Sequence, residues 1–149
     1  MFQLDAEPRL RAWREFRASL SFMPLEQALD AVREFWSTAP FAPYYLDPAN
    51  PDGWPTPWEL IAENYYCDVA KALGMLYTVK LSAHGLTLDA EILNCEESGT
   101  GFAYNLVYLA QGKYVLNYRD DAVVNITSIP KELYVRRRWT SEHLKLSEY

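Results

Sequence analysis

Thr56-Pro57-Trp58-Glu59-Leu60-Ile61 opens the stretch on which the reading of the fold turns, and Ala72-Leu73-Gly74 closes it. A threonine followed three residues later by glutamate forms a capping box, in which Thr56 takes the Glu59 amide and the Glu59 side chain returns to the Thr56 amide. Pro57 fills the first helical position, where a missing amide hydrogen costs nothing. Trp58, Ala62, Tyr66, Val69 and Leu73 then recur as one stripe, and Gly74 suits the left-handed residue that ends a helix. The spacing predicts a helix over 57–73.

Upstream, Leu10, Trp13, Phe16 and Leu20 predict an amphipathic helix over 8–20, and Leu25, Leu29, Val32 and Trp36 another over 24–37. Between them and Thr56 lie Pro40, Pro43, Pro48, Pro51 and Pro55, which exclude helix and central strand over 38–56. Phe41, Tyr44, Tyr45 and Trp54 make this segment a packed strap and not a flexible linker. Downstream of Gly74 the period becomes extended, with strands expected over 76–81, 86–93, 102–109, 113–118 and 122–127. The breaks are too short for parallel crossovers, so the sheet should be antiparallel. A helical turn is expected at 130–134, within a tail over 129–149. The fold class is α+β, about three helices followed by a four- to five-stranded antiparallel meander, in one domain over 1–149.

The chain has 149 residues, is 50% hydrophobic and 15% aromatic, and carries a net charge of −6. That balance disfavours a broad grip on nucleic acid, despite Arg9, Arg11, Arg14 and Arg17 near one end and Arg136, Arg137 and Arg138 near the other. These arginines read as solvated faces or protein contacts. No apolar run is long enough to span a membrane, and Asp5 and Glu7 break any signal-like pattern. Two cysteines, Cys67 and Cys95, are too few for a disulfide framework, and neither a metal site nor a cofactor is expected. Asp89 with Asp120 and Asp121 lacks the alternating spacing of a calcium loop. Tyr104, Tyr108, Tyr114 and Tyr118 are spaced for cross-strand packing.

Cys67, His84 and Asp89 or Asp120 are the residue types of a nucleophile, a base and an orienting carboxylate. Cys67 nevertheless falls well inside the predicted 57–73 helix, roughly opposite Trp58. There it lacks the unpaired amides that favour a thiolate at a helix N-terminus, unless the helix breaks near Asn64. His84 falls in a turn, and His143 in the polar tail.

Leu46-Asp47-Pro48, Trp54-Pro55-Thr56-Pro57-Trp58-Glu59-Leu60, Ala72-Leu73-Gly74-Met75-Leu76-Tyr77-Thr78 and Tyr114-Val115-Leu116-Asn117-Tyr118 together resemble a group of small uncharacterised proteins from tailed bacteriophages. A second resemblance is to the transglutaminase-like fold, whose cysteine helix precedes strands bearing a histidine and then an aspartate. Cys67-Asp68-Val69-Ala70 with Leu73-Gly74 is similar to that helix, and 101–109 with 112–117 to the two strands. Where that family carries its histidine this chain has Phe102, and where it carries its aspartate it has Asn117, neither of which can act as a base.

These readings lead to the expectation of a non-enzymatic phage protein, a virion component or assembly factor of head, neck, tail or baseplate. It would act in the host cytoplasm or virion through contacts with other phage proteins or further copies of itself. Tyr44, Tyr45, Trp54, Arg136, Arg137, Arg138 and Trp139 are its expected anchors. Two alternatives stand beside it. One is a cysteine-dependent hydrolase or acyl transferase using Cys67 and His84, and the other an early phage protein that binds a host factor.

Overall fold

The computed structural model describes residues 1–146, so the end of the expected tail lies outside the described residues. Four α-helices precede the sheet: α1 (Ala6–Leu20), α2 (Leu25–Ser37), α3 (Pro57–Ile61) and α4 (Asp68–Lys80). Four strands follow, β1 (Ala90–Glu97), β2 (Ala103–Leu109), β3 (Tyr114–Leu116) and β4 (Leu133–Thr140), paired antiparallel in the order β3-β2-β1-β4. The α+β class and the antiparallel sheet are as expected. The meander covers only the first three strands, because β4 returns to pair with β1.

α4 is the central element. Every residue from Val69 to Val79 except Lys71 is buried, so the helix has no solvated stripe of its own. One face meets β1 and β2, where Ala90, Ile92, Val107 and Leu109 join the main core. On the other side α1 and α2 converge on Thr78, whose hydroxyl oxygen lies 3.0 Å from both Trp13 Nε1 and Trp36 Nε1. That hydroxyl donates to the Gly74 carbonyl at 2.6 Å, so its lone pairs are free for both indoles. Gly74 does not end a helix: it lies against the Trp36 ring, and a Cβ there would come within 2.4 Å of it. The predicted strand over 76–81 is therefore the second half of α4. A glycine chosen for close approach had looked like a terminator.

Three further expectations are corrected. β1 begins at Ala90, after a 3-10 turn over Ala83–Leu86, and 122–127 contributes only an isolated Val115–Val124 bridge. β4 occupies part of the expected tail and takes in the end of the expected helical turn. Its arginines belong in a strand because they reach back to β1: Arg136 pairs with Glu96 at 2.8 Å and Arg138 with Glu91 at 2.8 Å. The connection between β3 and β4 covers the sheet face turned away from α4. There Val124, Ile129 and Leu133 pack on Leu93, Cys95, Leu106, Tyr108 and Val115. Burial on this face pushes the Cys95 thiol up to about 11.

Thr78→Val keeps the shape and deletes the shared acceptor, leaving two buried indole N–H groups without it. Urea unfolding is expected to show a loss of about 2–5 kcal/mol, whereas a loss below about 1 kcal/mol would mean that the indoles find other partners.

Candidate active site

The helix expected over 57–73 is two helices, and the break is made from outside. Arg9, only 5% exposed, donates Nη1 to the carbonyls of Ile61 and Glu63 while its other nitrogens bond the carbonyls of Phe2 and Leu4. The Tyr66 hydroxyl lies 3.2 Å from the Ile61 carbonyl and 3.0 Å from that of Glu63, so the same two groups are satisfied twice. With those carbonyls taken, α3 ends and residues 62–67 form a loop. Arg9 is thus a buried structural residue and not part of a solvated basic face. Burial holds the Tyr66 phenol up at about 12.

Cys67 is consequently the N-cap of α4, with extended backbone (φ −77°, ψ 177°). This corrects its placement inside a helix and opposite Trp58, since the two residues stand on different helices. Amides in the first turn of a helix lack intrahelical partners and favour negative charge, the setting in which reactive thiolates are found. Cys67 is 2% exposed.

Asp68, the first residue of α4, ties this terminus to the sheet. Its carboxylate accepts from the Asn105 amide at 3.2 Å, from Asn105 Nδ2 at 2.8 Å and from Asn117 Nδ2 at 3.1 Å. Asn117, in the left-handed region (φ 67°), also donates to the Asn105 carbonyl at 2.9 Å. The network runs on across the sheet: Asn94 Nδ2 donates to Asn105 Oδ1 at 3.0 Å, and Arg137 Nη1 to Asn94 Oδ1 at 2.7 Å. Its polarity is fixed by its ends, because arginine only donates and a carboxylate only accepts. Burial raises the Asp68 carboxyl above its ordinary value, opposed by the asparagine hydrogen bonds and by the Lys71 charge. Burial also lowers the Lys71 ammonium, against the pull of Asp120 and Asp68.

The strap borders the same place. Phe41 bridges to Tyr66, with Ala42 N donating to the Tyr66 carbonyl at 3.1 Å and Tyr66 N to the Pro40 carbonyl at 2.8 Å. The Tyr45 hydroxyl donates to the Tyr65 carbonyl at 3.2 Å, and burial together with the nearby Cys67, Glu63 and Tyr66 raises the Tyr45 phenol.

His84 does not join Cys67. It stands beyond the opposite end of α4, about 20 Å away at 1.5 Å per residue, with Nε2 3.0 Å from the Leu20 carbonyl and 3.1 Å from that of Met23. The expected pairing of these two residues is overturned by geometry. His143 lies past the end of β4 against the Trp139 ring. Phe102 precedes β2 and is exposed, so the β2 side chain that reaches the α4 terminus is Asn105, and Asn117 reaches the same terminus through Asp68. Among the described residues no three His, Cys, Asp or Glu side chains gather as a metal site.

The expected partner anchors do not form one surface. Tyr44 and Tyr45 are exposed beside the Cys67 loop, but Trp54 is 2% exposed and belongs to the core. Trp139 packs edge-on to Trp54 and donates to the Pro48 carbonyl at 2.9 Å. Arg137 turns to Asn94, whereas Arg136 and Arg138 are salt-bridged at the surface. Asp68, Asn94, Asn105 and Arg9 are the residues that sequence reasoning missed. Asparagines inside strands are depleted in general, and Asn105, inside the strand expected over 102–109, was the available signal.

Neither a protein family nor a curated protein matches the sequence. The fold does match solved structures of LapG from Legionella pneumophila, a bacterial transglutaminase-like cysteine protease. Calcium-bound LapG superposes with a TM-score of 0.69 at 17% identity, over 93% of this chain and 81% of that one. EGTA-treated LapG gives 0.70 at 17% identity, over 91% and 74%. The likeness supports the transglutaminase-like resemblance, and it concerns the fold. The expectation of a non-enzymatic chain is corrected at the level of fold, which is one that a cysteine protease also has.

The raised Asp68 carboxyl gives a pH signature with a definite sign. The folded state holds this proton more tightly than the unfolded state, so stability falls as pH rises through the interval from 3.8 to the folded-state value. Relative to Asp68→Leu, which cannot titrate, the wild type should gain stability as pH is lowered from 7 toward 4. Urea unfolding of both proteins across that range checks this, and a relative loss on acidification would contradict it.

Proposed function

We propose that the chain is a cysteine-dependent acyl transferase or hydrolase of transglutaminase-like fold, with Cys67 as its nucleophile. The observation that carries the reading is the position of Cys67 as N-cap of α4, in a fold shared with a cysteine protease. With its proton given up to solvent, the sulfur forms a bond to the acyl carbon, and the bond to the leaving group breaks with its electron pair. Water or an amine then attacks the same carbon, the carbon–sulfur bond breaks with its electron pair, and the proton lost by the attacking group passes to the departing thiolate or to solvent. First-turn amides at a helix N-terminus favour the negative charge that would develop on thiolate and oxyanion.

The side chains that β2 and β3 send to this terminus narrow the substrate. Asn105 and Asn117 are amides, too weakly acidic to protonate a leaving group, and both donate to Asp68. An amine leaving group needs a proton as it departs, whereas a thiolate or phenolate departs as an anion. Acyl thioesters and aryl esters are therefore the favoured donors.

The test is turnover of an aryl thioester by wild type, Cys67→Ala and His84→Ala. Cys67→Ala is expected to lower the rate about a hundredfold or more, and His84→Ala to leave it within about twofold. Equal rates in wild type and Cys67→Ala would remove the proposal.

A further inference from the structure

Cys67 is 2% exposed, which is incompatible with attack on any acyl donor in the conformation seen. The segment beside it is Pro40 to Tyr45, whose contacts meet the chain at Tyr65 and Tyr66 and reach Lys71, with Lys71 Nζ 5.8 Å from the Phe41 ring centre. The attachment is slight. Two backbone hydrogen bonds to Tyr66 and one phenol hydrogen bond hold a stretch in which Phe41, Tyr44 and Tyr45 are 65%, 69% and 41% exposed.

Both flanks are firm by contrast. Ala39 is buried and its amide bonds the Trp36 carbonyl, at the end of α2. On the far side Trp54 is buried and donates to the Asp47 carbonyl, while Trp139 holds Pro48. Pro40 and Pro43 stiffen the piece between, so it can hinge at its ends more readily than crumple. Because the Phe41 and Tyr44 rings are already largely in water, lifting them uncovers little further apolar surface.

We propose that Pro40 to Tyr45 is a gate over Cys67, which lifts from Tyr65 and Tyr66 to admit the acyl donor. This rests on the reading of Cys67 as the nucleophile. Its test does not depend on turnover, so either can fail alone.

The experiment uses the second cysteine as an internal control. Cys95 is 2% exposed on the sheet face turned away from α4, so general loosening would raise its modification as well. Native wild type, Tyr45→Phe, Tyr45→Ser and Phe41→Ser are treated with iodoacetamide at neutral pH, and the rates at Cys67 and Cys95 are read from peptide masses. Tyr45→Phe removes one hydrogen bond and should speed Cys67 labelling about threefold; each serine variant removes a ring and should speed it more than about tenfold. Cys95 labelling should not change. Unchanged Cys67 labelling in all three variants, or a parallel rise at Cys95, would overturn the gate.

Discussion

A guanidinium buried among carbonyl oxygens decides where the candidate nucleophile stands. Taking an arginine out of water is expensive unless its donors are met, and here the carbonyls of Phe2, Leu4, Ile61 and Glu63 meet them. In meeting them, Arg9 takes the carbonyls at the end of α3, and Tyr66 closes the same groups from the other side. Without this arrangement nothing local stops the helix begun at Pro57, and Cys67 would be one more residue on its wall. The break converts it into the N-cap of a new helix, the position next to the first-turn amides.

The rest of the architecture holds that new helix still. Thr78 fastens its far half to α1 and α2 through two indoles, and Asp68 fastens its first residue to β2 and the end of β3 through asparagine donors. At the second attachment burial disfavours the charged carboxylate, and the asparagine hydrogen bonds oppose that effect. A polar row from Arg137 through Asn94 and Asn105 nevertheless spans the sheet to reach it. Groups retained at such a cost are commonly those that fix a site's geometry.

Much of this was legible in the residues, and the failures have physical causes. The capping box at Thr56 and Glu59 forms as read, with both hydrogen bonds present. The stripes of α1 and α2 placed those helices to within a few residues, and the hairpin signals gave the antiparallel sense. The helix break could not be read locally, since its cause lies 52 residues away in Arg9. Gly74 was misread because glycine serves both to end helices and to admit a close neighbour, and only the Trp36 ring shows which. β4 was hidden because its arginines resemble a solvated tail until Glu91, Asn94 and Glu96 are seen opposite them. Cys67, Asn117 and the transglutaminase-like scaffold were visible from resemblance. The pairing of Cys67 with His84 failed because chain order carries no information on which end of α4 each residue occupies.

The structure thus joins a thiol at a helix terminus to a sheet that supplies amides where bases are expected, behind a lightly held strap. On the proposed reading, the site passes an acyl group through sulfur when the leaving group needs no proton. The most direct measurement is the mass of wild-type protein quenched in acid during turnover of an acyl thioester, with the adduct mapped by peptide sequencing. The account predicts one acyl group, bound as a thioester on Cys67. Turnover with no adduct, or an adduct on Cys95 in place of Cys67, would contradict it.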